Sequence, residues 1–155
     1  MATRRYSVNA AAFNYAANVT KTLVAVDAAA NRDPAVTRIG ASADGVTGAA
    51  LALLVELCHC TFATAGTATA FTPVQSRGKV VASAHSGFHS YTAEPTVMTA
   101  IWATYLTPNQ PTFVEQFSID DLPEANLGEG LALRVTNPTS GTAVNVRGFL
   151  MFEER

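Results

Sequence analysis

Charge is the scarcest feature of this sequence. Charged residues make up only 14% of the 155 residues, well below the roughly 25% of ordinary soluble domains. Small and weakly polar residues, above all Ala, Thr, Ser, Asn and Gly, must therefore cover much of the surface. Such a surface is easily buried by a partner, because few charges have to be desolvated. The composition favours a subunit of an assembly, and the alternative is a plain soluble domain with alanine-rich loops.

A basic excess is also missing. The formal net charge is −2 and the isoelectric point is about 5.9. The basic residues are scattered along the chain, apart from the adjacent Arg4 and Arg5. Nucleic-acid-binding domains usually carry concentrated positive charge. We therefore expect no nucleic-acid partner.

Cysteine is rare, and its spacing excludes the usual cysteine sites. Cys58 and Cys60 flank His59, so on a strand both thiols would point to one face and would pair poorly as a disulfide. No second Cys or His pair stands at zinc spacing. We interpret the two cysteines as reduced, buried apolar residues and expect no metal or other cofactor.

Long apolar runs are absent as well. The longest, residues 49–57, is too short to span a bilayer and contains Glu56. No apolar run follows Arg4 and Arg5, as a signal peptide would require. We expect a soluble protein with no membrane partner and no recognisable export signal.

What the sequence does contain is an alternation of apolar and polar residues, broken at short intervals by turn residues. This pattern predicts about eight strands and no convincing amphipathic helix. The predicted strands are residues 21–26, 36–43, 50–61, 79–82, 98–106, 113–119, 131–136 and 143–152. The number favours an all-β jelly-roll β-sandwich. The rival, an immunoglobulin-like sandwich, would have fewer strands and a Cys–Trp–Cys order that is missing here.

Two segments depart from the alternation. A helix is possible only around residues 9–18, which are Ala-rich but aromatic and uncapped, and Asn9 and Asn14 interrupt the apolar residues. We interpret residues 1–20 as an N-terminal arm or edge strand, followed by a sandwich domain at residues 21–155. Residues 63–95 are rich in turn residues and predict one long irregular loop. Long irregular loops in compact domains are usually functional, so we expect this loop to face a partner.

No catalytic motif stands out, and we predict that the protein is not an enzyme. There is no nucleophile elbow and no phosphate-binding loop. The histidine pair His85 and His89 with Glu94 is a weak candidate for a metal site. The aromatic residues Tyr91, Trp102 and Tyr105 are candidates for a sugar-binding platform, although a single tryptophan is more often a core residue.

Several segments resemble small proteins encoded among the structural genes of tailed bacteriophages. They are residues 38–46, 55–57, 64–67, 91–96 and 144–154. The resemblance implies a jelly-roll virion protein, often trimeric, of the type that decorates or cements capsids. It implies no catalytic residue.

The resemblance gives the two irregular segments a role. The arm would contact the capsid through Arg4, Arg5, Tyr6, Phe13 and Tyr15. The loop would face a partner through Phe71, His85, Phe88, His89 and Tyr91. The expected partner is the major capsid protein or another virion protein, and the expected location is the virion, assembled in the host cytoplasm. The alternative is a receptor- or glycan-binding tail or fibre module on the same fold.

Overall fold

The computed structural model describes residues 4–29, 31–44, 51–61, 67–78, 80–95, 97–138 and 142–155. Within these ranges the chain forms β-strands and no helix, so the all-β fold class is confirmed. The strands are β1 (Arg5–Tyr15), β2 (Val19–Asp27), β3 (Pro34–Asp44), β4 (Leu53–Thr61), β5 (Thr67–Phe71), β6 (Val74–Arg77), β7 (Gly87–Ala93), β8 (Met98–Leu106), β9 (Thr112–Gln116), β10 (Glu129–Asn137) and β11 (Val144–Glu154).

The strands form two antiparallel sheets with a nested connectivity. The five-stranded sheet has the order β6-β1-β11-β3-β9, and the six-stranded sheet has the order β5-β7-β2-β10-β4-β8. Working inward from the two ends of the chain, β1 pairs with β11, β2 with β10, β3 with β9 and β4 with β8. A long hairpin of eight strands rolled into two facing sheets gives this nesting, which is the jelly roll. The predicted jelly-roll sandwich is therefore present, and the immunoglobulin-like alternative does not fit the strand order.

The other three strands lie in the connection between β4 and β8, which contains the stretch predicted to be irregular. β6 extends the first sheet beside β1, and β7 and β5 extend the second sheet beside β2. The prediction of a strand at residues 79–82 is wrong for residues 80–82, which form no strand. The Val81 amide donates instead to the Gln75 side-chain oxygen Oε1 at 2.7 Å. Residues 62–66, 79 and 96 of this connection lie outside the described residues.

The N-terminal segment is part of the sandwich. β1 lies between β6 and β11, and Tyr6, Val8 and Tyr15 are fully buried in the core. The predicted boundary between an arm at residues 1–20 and a domain at residues 21–155 is thus corrected, because β1 and the start of β2 belong to the two sheets. Asn9 and Asn14 do not interrupt the strand, since both lie on its solvent-facing side. Residues 1–3 of the predicted arm lie outside the described residues.

A row of small residues in the first sheet makes room for Leu23 of the second. Ala10, Gly148 and Ala41 stand side by side on β1, β11 and β3, and Leu23 of β2 is fully buried. A Cβ on Gly148 would lie 2.5 Å from Leu23 Cδ2 and 2.9 Å from the Gly40 carbonyl oxygen. The close approach of the two sheets here depends on the absence of a side chain at position 148.

Gly148→Ala should therefore lower the free energy of unfolding by about 1–3 kcal/mol, because the added methyl overpacks the core against Leu23 and the backbone of Gly40. In a Leu23→Ala background the same change should cost clearly less, because the Leu23 side chain is gone. Urea denaturation of the four members of this double-mutant cycle measures both losses. Strictly additive losses would contradict the contact.

Candidate functional site

The first two residues of β1 join the ends of the chain. Arg5 Nη2 lies 2.6 Å from Glu153 Oε1, and the Tyr6 ring stacks on Phe152 with the centroids 5.6 Å apart. The Tyr6 hydroxyl donates to the Val81 carbonyl at 3.2 Å. Tyr6 is thus fixed inside the sandwich and is not available as a capsid contact, which corrects its predicted role.

The aromatic residues at the other end of β1 are also tied down. Tyr15 is fully buried, its hydroxyl donates to the Lys21 carbonyl at 3.2 Å, and burial raises its pKa. Phe13 packs edge-on against Tyr15, and the Lys21 ammonium lies 5.1 Å from the Phe13 ring centroid. Tyr15 is therefore corrected to a core residue. Of the predicted arm residues, Arg4, Arg5 and Phe13 keep some exposed surface, but at opposite ends of the strand.

The residues predicted to face a partner from the long loop are largely turned inward. His85 is 3% exposed and Tyr91 is fully buried, so both are corrected to interior residues. The rings of Phe71 and His89 meet edge to face across β5 and β7, 5.9 Å apart. Phe88 packs on a second apolar cluster. The loop folds back on the sandwich and does not present these side chains as one surface.

The candidate metal ligands bind different neighbours. His85 Nδ1 accepts from the Ala29 amide at 3.0 Å, and His89 Nδ1 lies against the hydroxyl of the next residue. The Glu94 carboxylate accepts from the Thr22 amide at 2.7 Å. Across the described ranges, no three His, Cys, Asp or Glu side chains are grouped as metal ligands would be.

Glu154 ties the C-terminal strand to two loops. Its side chain is 1% exposed, Oε2 accepts from Arg32 Nη1 at 2.6 Å, and Oε1 accepts from the Ser83 hydroxyl and the Ala84 amide. Desolvation alone would raise the pKa of this carboxyl group. The hydrogen bonds from Ala84, Ser83 and Arg32 outweigh it, and with nearby His85 they hold the pKa of Glu154 below its usual value.

Glu154→Gln should lower the free energy of unfolding at pH 7 by about 2 kcal/mol, because the charge-assisted bonds from Arg32 and Ser83 are weakened. The lowered pKa means that ionised Glu154 stabilises the fold above about pH 4.5, and that this contribution is lost as the pH falls through the folded-state pKa. Urea unfolding between pH 7 and pH 3 should show the difference from wild type shrinking below about pH 4.5.

The control for this prediction is Glu124→Gln, whose ion pair with Arg155 is partly exposed. That change should cost less than about 1 kcal/mol. A difference between wild type and Glu154→Gln that is the same at pH 3 and pH 7 would show that the charge of Glu154 is not stabilising.

A second apolar cluster covers part of the outer face of the six-stranded sheet. Its buried members are Ala25, Cys60, Tyr91 and Ala132. At the two ends of the connection from β7 to β8, Glu94 accepts from the Thr22 amide of β2 and the Val97 carbonyl accepts from the Thr61 amide of β4. Tyr91 is fully buried as part of this cluster, although it points away from the main core.

Cys58 and Cys60 lie on this face as buried thiols, as predicted. Burial raises the pKa of Cys58 to about 11 and that of Cys60 to about 12. At pH 8 only about one Cys58 thiol in a thousand, and about one Cys60 thiol in ten thousand, would then be the reactive thiolate. A thiol reagent should label the folded protein far more slowly than the protein unfolded in guanidinium, which serves as the control. Rapid labelling of the folded protein would contradict the burial.

Exposed apolar surface gathers on β8, at the edge of the six-stranded sheet. β8 pairs with β4 on one side, and no described strand pairs with its other side. None of its nine residues is charged, and Ile101 and Tyr105 are 42% and 62% exposed. The register against β4 shifts by one residue at Ile101. A register shift of this kind is a β-bulge, which helps to protect an edge strand from unwanted pairing. Natural edge strands usually also carry a lysine, a proline or an inward-pointing charge, and β8 has none of these residues.

A groove of about 590 Å³ opens between β8 and β9, which is the edge strand of the other sheet. Ile101 and Trp102 line it from β8, Glu115 lines it from β9, and Phe117 and Asp121 line it from the loop that follows. We call this the edge groove. Its volume lies within the range of ligand sites, about 300–1,000 Å³.

The predicted sugar platform does not form from its three aromatic residues. Tyr91 is buried, and Trp102 packs against Phe113 and Phe117 with ring centroids 5.6 Å and 6.4 Å away. Tyr105 lies three residues after Trp102 on the same strand, so the two rings point to opposite faces.

On β8 the sequence predicts only Trp102 and Tyr105 as candidates for a sugar platform, and it predicts no capsid contact on this edge. A signal was present, because residues 95–114 contain no Asp, Glu, Lys or Arg. This interval covers β8 and most of β9. That it forms a sheet edge follows only from the strand order.

No protein-family model, no curated protein and no solved structure matches this chain. Among the described residues there is no helix of the length and hydrophobicity that crossing a membrane requires. A functional assignment therefore rests on the residues of this chain.

Proposed function

We propose that this protein is a structural virion protein of a tailed bacteriophage. It binds the outer surface of the capsid as a decoration or cement protein, acts as a homotrimer, and catalyses no reaction. Its partner is the major capsid protein or another virion protein. The jelly-roll sandwich supports this proposal, because the sequence resemblance to small phage structural proteins implies that fold.

The observation that carries the proposal is the uncharged edge strand β8. A free strand edge offers unpaired N–H and C=O groups, which another chain can pair with. Ile101 and Tyr105 add exposed apolar surface at the same place. Covering this surface removes apolar area from water and desolvates no charge on β8. These properties suit permanent attachment to a repeated protein surface.

The other edge of the same sheet supports contacts between subunits. β5 (Thr67–Phe71) is the terminal strand there, and it too carries no charge. A subunit with two separate uncharged edges can keep one for its own copies and the other for the capsid. Contacts among copies around a shared axis then give a closed ring such as a trimer.

Two measurements test the proposal. Native mass spectrometry of the purified chain should give three times its 16.3 kDa mass. Cryo-electron microscopy of capsids assembled with the protein should show it at repeated positions on the outer surface. A monomer that does not associate with capsids would overturn the proposal.

Tyr105→Lys should reduce capsid occupancy at least about tenfold, because it places a charge on the contact edge. The trimer mass should not change. The matched control is Val74→Lys on β6, where a side chain of similar exposure, 55%, lies on an edge of the other sheet. Equal capsid occupancy for the two variants would show that β8 does not contact the capsid.

A second candidate is a receptor- or glycan-binding tail or fibre module, which would use the edge groove as its binding site. The groove combines an aromatic residue with polar side chains, as sugar sites do, although the covered ring of Trp102 leaves little open aromatic face. Labelling of the protein at the tail by electron microscopy, with none on the capsid, would favour this candidate.

A further inference from the structure

We propose that the edge groove binds an extended segment of the partner protein that carries a lysine or arginine, with its backbone added as a strand beside β8. This inference rests on the proposed function, because it names the part of the partner that the β8 edge would receive. Three observations lead to it: the free edge, the apolar lining of the groove, and the carboxylates beside that lining.

The free edge supplies the main-chain contacts. The side of β8 away from β4 has no strand partner among the described residues, and β8 continues from Trp102 to Leu106 without a further register shift. A strand added there would extend the six-stranded sheet toward β9. It would therefore lie across the mouth of the edge groove, and every second side chain would point into it.

The lining supplies apolar contacts at the same place. Ile101, Trp102 and Phe117 line the groove, and Leu122 extends this surface along the following loop. Trp102 is half-buried and held by its neighbouring rings, so the floor is in place before a ligand arrives. An apolar side chain of the added strand would cover this floor.

The carboxylates decide the charge of the occupant. Glu115, Asp121 and His59 line the groove, and neither of the two carboxylates has an ion-pair partner among the described residues. Glu124 also lines the groove, but it is already paired with Arg155. A cationic side chain would find two available acceptors, whereas an acidic one would meet like charges.

A peptide fits these features better than a sugar. Sugars in protein sites usually stack on an open aromatic face, and in this groove Phe113 and Phe117 pack against the Trp102 ring. A row of main-chain donors and acceptors along a strand edge matches the repeat of an extended peptide. The uncharged β8 edge is thus explained by a peptide partner and has no role in sugar binding.

The chain has a built-in reporter for the test. Trp102 is the single tryptophan of the sequence and lines the groove, so its fluorescence responds to occupancy. The probes are synthetic nine-residue peptides of alternating threonine and valine, with a central lysine, glutamine or glutamate. The lysine peptide should change the Trp102 fluorescence and bind at least about tenfold more tightly than the glutamate peptide.

Two controls separate the backbone from the charge. Methylating alternate amides of the lysine peptide removes main-chain donors with the side chains unchanged, and should abolish binding. The double variant Glu115→Gln, Asp121→Asn should reduce the lysine preference to about threefold or less. Asp120→Asn is its matched control, because Asp120 adjoins Asp121 in sequence but does not line the groove, and it should keep the full preference.

Three results of the peptide assay would overturn the inference. They are no binding of the lysine peptide up to about 1 mM, equal affinity for the lysine and glutamate peptides, and a fluorescence change with a panel of simple sugars but not with the peptides. Capsid binding that is lost in Tyr105→Lys but unaffected by the double variant would refute the inference and leave the proposed function standing. Selective binding of the lysine peptide by a protein that never associates with capsids would refute the proposed function alone.

Discussion

The pairing of the first strand with the last is the interaction on which the rest of the sandwich depends. The Arg5–Glu153 ion pair joins residues 148 positions apart, and the Tyr6–Phe152 stack lies beside it. Contacts between such distant residues require the whole chain to be closed into a loop first, which makes them slow to form. In the folded protein each remaining pair of the jelly roll nests inside this outermost pair. The pairing of the two chain ends therefore encloses all the other pairs.

The sequence predicted strands best where large apolar residues alternate. β4 and β10 are such strands, and both were expected close to their observed positions. β1 was not recognised as a core strand because Asn9 and Asn14 break its apolar pattern. Whether an asparagine faces water or ends a strand depends on which strands lie beside it, and a single sequence does not specify them. The additional strands β5, β6 and β7 depend on pairing with neighbours, because β6 pairs with β1, β7 with β2 and β5 with β7.

The candidate site was harder to predict than the fold, for a topological reason. His85 and Tyr91 occur in a polar, turn-rich stretch that is typical of an exposed loop, yet the connection folds back over the sheet and buries them. The β8 edge shows the opposite difference between predicted and observed burial. Its apolar residues are typical of a buried strand, and it is exposed because no described strand follows it in the sheet. Burial in this molecule is set by strand order as much as by residue type.

The contact between Leu23 and Gly148 restricts how this sequence can change over evolutionary time. A side chain at position 148 has no room while leucine occupies position 23, and a smaller residue at position 23 leaves a cavity while glycine occupies position 148. Either change alone passes through a less stable intermediate, so the two positions are constrained to vary together. Ala10 and Ala41, which flank Gly148 in the same row, share part of this constraint. A lineage that began with this pair of residues would therefore tend to keep it, whatever surface the protein came to bind.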